Sequence, residues 1–201
     1  MSQLSFFDDN ESLLFPENLL EYFPHFLGER DSIALMNELI ATVSWKQSTL
    51  TIKDKILLTP RLTAWFGDAG KSYRLSEKQL NPLPWTPALT DLRHKVESFT
   101  HLVFNSVLLN YYRDGNDSVA WHSDNEKELG YHPGIASLSL GQARSFDFRN
   151  KKDHQRKYSL KLGNGSLLIM KGDLQQHWQH RIPKSARPMQ PRINLTFRII
   201  Y

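Results

Sequence analysis

From residue 28 onward the hydrophobic positions first follow a helical period. Ile33, Met36, Leu39, Ile40 and Val43 recur at three- and four-residue steps, which predicts a helix over about Gly28 to Val43 with Asp31 or Ser32 as its cap. A second helix is expected to start after Thr86 as cap, with Pro87 in its first turn, and to run on Leu89, Leu92 and Val96 to about Glu97. Between the two, Trp45 to Ile56 reads as a strand followed by a polar loop. A short strand from about Leu62 to Phe66 is then stopped by a Gly-Asp-Ala-Gly turn. Beyond residue 100 the period shortens. Strands are predicted at Phe104–Tyr112, Ala120–Ser123, Ile135–Leu140, Ser145–Arg149, Lys157–Leu162, Ser166–Met170, Trp178–Arg181 and Ile193–Ile200, punctuated by glycine-containing turns. Eight short strands in about 100 residues, preceded by helices, predict a mainly β, α+β fold: a two-sheet jelly roll with flanking N-terminal helices. Residues 1–27 are expected to form an irregular arm and residues 28–201 a single domain.

Composition narrows the class. Hydrophobic residues make up 40% of the 201, enough for a core and too many for general disorder. No apolar run approaches the length of a membrane span. The opening MSQLSFFDDNESLLF has acids early and no basic leader, so a signal peptide is not expected. Cysteine is absent, which excludes disulfides, iron–sulfur clusters and cysteine-ligated zinc. A cytoplasmic monomer is the expectation.

Net charge is +4, but the two signs are segregated. Residues 1–140 hold 12 Lys and Arg against 18 Asp and Glu, whereas residues 141–201 hold 13 against 3. A basic C-terminal part suits a polyanion such as nucleic acid, and equally an ordinary solvated face.

Candidate chemistry lies in the stretch WHSDN. His122 and Asp124 stand two apart, so on a strand both leave the same face. A two-histidine, one-carboxylate iron(II) site needs that convergence, with further coordination positions open. The third ligand must come from far along the chain, and HWQH offers His177 and His180. In PRINLTFRII, Arg192, Asn194, Thr196 and Arg198 share one strand parity, and Ile193, Leu195, Phe197 and Ile199 the other. Burying the polar face is costly without an anionic partner, and a dicarboxylate matches the arginine fork. Asn110 and Tyr112, also two apart, are placed to add neutral hydrogen bonds. Alternatively, β-strand polarity here marks only an outward face.

These segments together resemble the AlkB family of iron(II)- and 2-oxoglutarate-dependent nucleic acid dealkylating dioxygenases, in particular the animal members that act on alkylated DNA. The similarity runs from about Trp45 to Tyr201 through PRLTAWFGDAG, FNSVLLNYYRDGNDSVAWHSDNEKELG, PGIASLSLGQARSFDFRNKKD, GSLLIMKGDLQQHWQHRIPK and PRINLTFRII, in that order. It implies a double-stranded β-helix core over about residues 100–201 and a nucleotide-recognition region over about 45–85. Matched position by position, it implies His122, Asp124 and His180 as iron ligands. It further implies Arg192 against the distal carboxylate of 2-oxoglutarate, Arg198 near its metal-chelating end, and Asn110, Tyr112 and Asn194 as further cosubstrate contacts.

The implied reaction consumes 2-oxoglutarate and O2 and removes N-methyl groups from 1-methyladenine and 3-methylcytosine, releasing formaldehyde, succinate and CO2. The partner is then alkylated DNA, single- or double-stranded, or RNA, with no membrane involved. A target base in duplex must be flipped out. Glu126 matches an acidic position beside the base, where it would favour a cationic lesion. Trp65, Tyr73 and Trp121 are the aromatic candidates for stacking on it, although Leu75 stands where some relatives carry a second aromatic. Lys151, Lys152, Arg156, Lys157, Lys184 and Arg187 are candidates for phosphate contacts. Lys46 to Lys55 is expected to form part of a recognition flap. The competing readings are the same chemistry on RNA or protein, and a noncatalytic jelly-roll module that binds nucleic acid.

Overall fold

Period-two alternation beyond residue 100 resolves into two facing antiparallel sheets. The computed structural model describes residues 19–52, 55–71, 73–75 and 78–201. In chain order they form β1 (Leu20–Phe23), α1 (Glu29–Thr42), β2 (Thr49–Ile52), β3 (Lys55–Leu58), β4 (Leu62–Gly67), β5 (Tyr73–Leu75), β6 (Lys78–Leu80), α2 (Pro87–Thr100) and β7 (Ser106–Tyr112). There follow β8 (Val119–His122), a 3-10 turn (Lys127–Leu129), β9 (Ile135–Gly141), β10 (Arg144–Asn150), β11 (Lys157–Leu162), β12 (Ser166–Met170), α3 (Leu174–His177), β13 (Trp178–Ile182) and β14 (Arg192–Arg198). The larger sheet has the order β1-β12-β9-β14-β7-β4 and the smaller β11-β10-β13-β8, while β2-β3 and β5-β6 are separate hairpins. This is the architecture of a double-stranded β-helix.

β14 shows how the pattern becomes a core. Ile193, Leu195 and Phe197 are fully buried on the face that meets Leu89, Leu92 and Val96 of α2. Each such burial contributes roughly 1.5–3 kcal/mol. The opposite face turns between the two sheets, beside a second apolar cluster that includes Tyr112, Phe146, Phe148, Met170 and Trp178. Arg192, Asn194 and Thr196 are therefore buried as well, which removes the outward-facing alternative.

Several local expectations are corrected. The arm is not irregular throughout: β1 pairs with β12, and Leu20 is buried, because the apolar LEYF stretch closes an open sheet edge. The cap of α1 is Gly28, not Asp31 or Ser32. Ser32 lies a turn inside, buried, with its hydroxyl donating to Gly28 O at 2.8 Å. The strand and polar loop expected over Trp45–Ile56 are a hairpin of β2 and β3. α2 begins as expected, with Leu89 N donating to Thr86 Oγ1, and runs on to Thr100. No described helix is long and apolar enough to cross a membrane.

Gly141 ends β9 opposite Arg192 with φ +86°. A Cβ there would come within 2.5 Å of both Met36 Sδ and Pro191 O, so the close approach of α1 and the entry to β14 requires glycine. Gly141→Ala is expected to destabilise the protein by at least about 1–3 kcal/mol from backbone strain alone. Chemical denaturation with an unchanged midpoint would disprove this.

Candidate active site

β8 and β13 are neighbours, with His180 opposite His122 in the register. Parity then sends both imidazoles into the space between the sheets, where their ring centroids lie 4.3 Å apart. Asp124 follows two residues beyond the end of β8. One ligand atom from each of His122, Asp124 and His180 lies within 4.8 Å of the others, so the three can close on one ion. His177 does not join them. It is exposed on α3, with Nε2 3.2 Å from Asp173 Oδ2.

The surroundings prepare each ligand. His122 Nδ1 lies 2.9 Å from Ala120 O. A carbonyl can only accept, so Nδ1 carries the proton and Nε2 keeps its lone pair for a metal. His180 is buried against Phe146 and Phe148. Burial, helped by His122, pushes its imidazole down to about 3, which keeps it neutral and ligand-competent at ordinary pH. Burial pushes the Asp124 carboxyl upward. Arg198 and the two histidines outweigh that and hold it well below the usual carboxylate range. Arg198 Nη2 donates to Asp124 Oδ2 at 2.8 Å, and Asp124 N donates to Gln175 Oε1 at 3.0 Å. One carboxylate oxygen is thus engaged and the other faces the histidines.

The same cavity is lined by Arg61, Trp65, Asn110, Tyr112, Glu126, Arg192, Asn194 and Arg198. Arg192 is 1% exposed, and its Nη2 donates to Ser139 Oγ at 2.9 Å. Its Nε and Nη1 have no hydrogen-bond partner among the described residues. Burial lowers its affinity for the proton, but a guanidinium stays charged, with the Tyr112 ring 5.1 Å beneath it. A sealed cation with unsatisfied donors at Nε and Nη1 is a receptor for a carboxylate. A ferrous ion and a five-carbon keto diacid therefore fit the residues present: His122, Asp124 and His180 would hold the iron, and Arg192 the far carboxylate of 2-oxoglutarate.

Other expected residues fall less uniformly. Asn110 Oδ1 accepts from Arg61 Nε at 2.8 Å, and Arg61 is a cavity residue the sequence reading missed although it stands within PRLTAW. Asn194 is spoken for: its Nδ2 donates to Ser137 Oγ and Leu138 O, and its Oδ1 accepts from Thr196 Oγ1. It braces β14 against β9 and has no spare amide hydrogen for a cosubstrate. Trp65 and Glu126 line the cavity, and Glu126 Oε2 is buried without a hydrogen-bond partner among the described residues. Trp121 does not line it. As the neighbour of His122 on β8 it points to the opposite face, with the guanidinium carbons of Arg149 and Arg181 4.4 and 4.5 Å from its ring centre. The Tyr73 side chain lies outside the described residues. Lys151 is not a free cation, since its Nζ donates to Gln175 O at 2.7 Å. Arg156 lies over Trp178, with its guanidinium carbon 5.6 Å from the ring centre. Lys152, Lys157, Lys184 and Arg187 are exposed.

A jelly roll holding two histidines and an aspartate beside a buried, unsatisfied arginine defines a class of metal- and keto-acid-dependent oxygenases. Residues 19–198 match the model of the 2OG-Fe(II) oxygenase superfamily, and the chain belongs to that family. Its cofactors are accordingly Fe(II), with 2-oxoglutarate and O2 as cosubstrates. Within the family it is similar to alpha-ketoglutarate-dependent dioxygenase alkB homolog 3 of Mus musculus. The two are 41% identical over 187 residues, covering 89% of this chain and 65% of that protein. It is 42% identical over 148 residues to the DNA oxidative demethylase ALKBH2 of Homo sapiens, covering 70% of this chain and 57% of that protein. The chain thus spans roughly two thirds or less of these curated relatives. A solved structure of OsALKBH1 superposes with a TM-score of 0.56 at 17% identity, over 90% of this chain and 97% of that one, which supports the shared fold.

Two outcomes check this assignment. In the absence of 2-oxoglutarate, Arg192→Leu should be at least as stable as the parent and up to about 1–4 kcal/mol more so, because an incompletely paired buried charge is removed. The same variant should lose the thermal stabilisation that 2-oxoglutarate gives with a redox-inert divalent metal. Lower stability together with an intact cosubstrate response would contradict the role given to Arg192. For the metal, His180→Ala should abolish the metal-induced shift while His177→Ala keeps it, and the reverse order would reassign the ligand.

Proposed function

We propose that the chain catalyses oxidative demethylation of N-methylated nucleobases, with 1-methyladenine and 3-methylcytosine in DNA as its substrates. The observation that carries this is a single cavity holding both the iron ligands and an unpartnered buried carboxylate oxygen on Glu126, with Trp65 on its wall. The two substrate bases are cations, so a carboxylate with an unpartnered oxygen facing the cavity would attract them over their unmethylated parents, and an indole adds a stacking face. Relatives named as a DNA oxidative demethylase and as an alkB homolog support the same substrate class.

Iron with 2-oxoglutarate and O2 supplies the oxidation, which converts the N-methyl carbon to formaldehyde while the keto acid goes to succinate and CO2. The chain's own work is placement. Arg192 fixes the cosubstrate, Arg198 holds the Asp124 carboxylate in one orientation, and the Ala120 carbonyl sets the His122 tautomer. Glu126 and Trp65 orient the base with its methyl toward the metal. Hydrophobic Met170, Phe146 and Ile182 on the cavity wall limit water.

Nucleic acid would reach the cavity across exposed cations, among them Lys152, Lys184 and Arg187. The β2–β3 hairpin presents Ile56, Leu57 and Leu58 largely to solvent, at 74, 49 and 63% exposure. We assign that apolar edge to contact with bases, as the recognition flap. The ligand triad and Arg192 all come from one chain, which supports a monomeric unit. The lack of cysteine suits a reducing compartment such as the cytoplasm.

The test is aerobic formaldehyde release from single- and double-stranded oligonucleotides carrying one 1-methyladenine or 3-methylcytosine, with iron or 2-oxoglutarate omitted in parallel. Turnover should require both. Asp124→Ala should remove it by at least about 100-fold while strand binding persists. Equal turnover without 2-oxoglutarate, or with Asp124→Ala, would refute the proposal.

A further inference from the structure

The geometry points to Asn105 as a positioning residue for the substrate-binding wall. Its side chain bonds the main chain of Ile200 twice: Nδ2 donates to Ile200 O at 2.7 Å, and Ile200 N donates to Oδ1 at 2.7 Å. The last rung of the β7–β14 ladder pairs Arg198 with Ser106. The amide of Asn105 thus does for Ile200 what a neighbouring strand would have done, past the point where the strands stop.

That extension matters because of what Ile200 and Tyr201 hold. Ile200 is 2% exposed, lines the cavity, and forms a small cluster with buried Leu129 and with Trp65. Tyr201 N donates to Glu128 O at 2.9 Å, and the Tyr201 ring lies on Gly130, where a Cβ would meet Cε2 at 2.9 Å. Lys127 to Leu129 form the 3-10 turn that directly follows Glu126, Gly130 ends it, and Leu129 N donates back to Glu126 O at 3.0 Å. Glu126 belongs to the irregular connection between β8 and β9, with no strand ladder of its own. Its backbone is held on one side by Asp124 and on the other by this turn, whose Leu129 N donates to the Glu126 carbonyl. Asn105 fixes Ile200 and Tyr201, these fix the turn and Trp65, and together they set the distance from stacking wall to carboxylate.

Asn105 touches neither metal nor cosubstrate, and it is not among the residues lining the cavity. Its effect is expected on the methylated base alone. This rests on the proposed substrate class, and the readouts keep the two apart. With Asn105→Ala, KM for a 3-methylcytosine oligonucleotide should rise about tenfold, the scale of one or two lost hydrogen bonds. KM for 2-oxoglutarate should stay within about twofold, a split that general destabilisation would not give. A second reading needs no turnover. In metal-free protein the ratio of affinities for a 3-methylcytosine strand and the unmodified strand, by fluorescence anisotropy, should fall toward one. Gly130→Ala perturbs the other limb of the latch, through φ +72° and the Tyr201 ring, and should lower the same ratio. Asn105→Ala and Gly130→Ala proteins that keep both the KM split of the parent and its affinity ratio would overturn the inference. If the parent itself neither prefers nor turns over the methylated strand, the substrate proposal fails instead.

Discussion

Everything in this cavity depends on one charge kept out of water. Arg192 sits on a central strand, between β7 and β9, so its backbone is fixed on both sides. Its guanidinium is flanked by the Tyr112 ring and by Ser139, which accepts one of its hydrogen bonds. Burial of a cation with spare donors costs stability, and the apolar reverse of the same strand offsets it through Ile193, Leu195 and Phe197. A carboxylate bound there would recover what the unliganded fold loses. The donors are already aligned, and little further ordering is needed on binding.

The same strand also reaches the metal. Arg192 and Arg198 share a face six positions apart, roughly 20 Å along an extended chain. Two long arginine side chains reaching inward across that span leave room for a five-carbon diacid and an ion. Arg198 does not wait for ligand. It already grips Asp124, so the carboxylate that must bind iron is oriented and kept ionised before the metal comes. Gln175, from short α3, holds the Asp124 backbone on the other side. Cosubstrate site and metal site are therefore linked by covalent geometry in β14 as well as by the shared cavity.

Period-two alternation made much of this legible before any coordinates. It put His122 with Asp124, Arg192 with Arg198 and Asn110 with Tyr112 on common faces, and all six reach the one cavity. Applied to Trp121, the same rule would have excluded it, since a neighbour of His122 on a strand must leave by the other side. Its aromatic character obscured that. The choice of His180 over His177 needed the family resemblance, because spacing in HWQH is compatible with either. Other features carry no sequence signal. An asparagine that braces strands looks in sequence like one that binds ligand, so the hydrogen bonds of Asn194 and Asn105 carry no sequence signal. Lys151 reads as a surface lysine until its ammonium is seen on the Gln175 carbonyl. The edge strand β1 was hidden in a stretch too short to show a period.

The two faces of the smaller sheet divide their chemistry by the same alternation that builds the site. β8, β10 and β13 put His122, Phe148 and His180 toward the interior, while Trp121, Arg149 and Arg181 alternate with them on the outside. Arg149 Nε is tied to Gln179 and Arg181 Nε to Asp147, which keeps these cations in place on the sheet surface. A strand that must supply neutral, desolvated groups inward can carry opposite chemistry outward at no cost to the core. Inside, the cavity itself is divided: the cationic donors of Arg192 suit an anionic cosubstrate, and the free oxygen of Glu126 suits a cationic base. Under the proposed function, two ligands of opposite sign would each meet their complement in one space, and exchange of their places would set like charge against like.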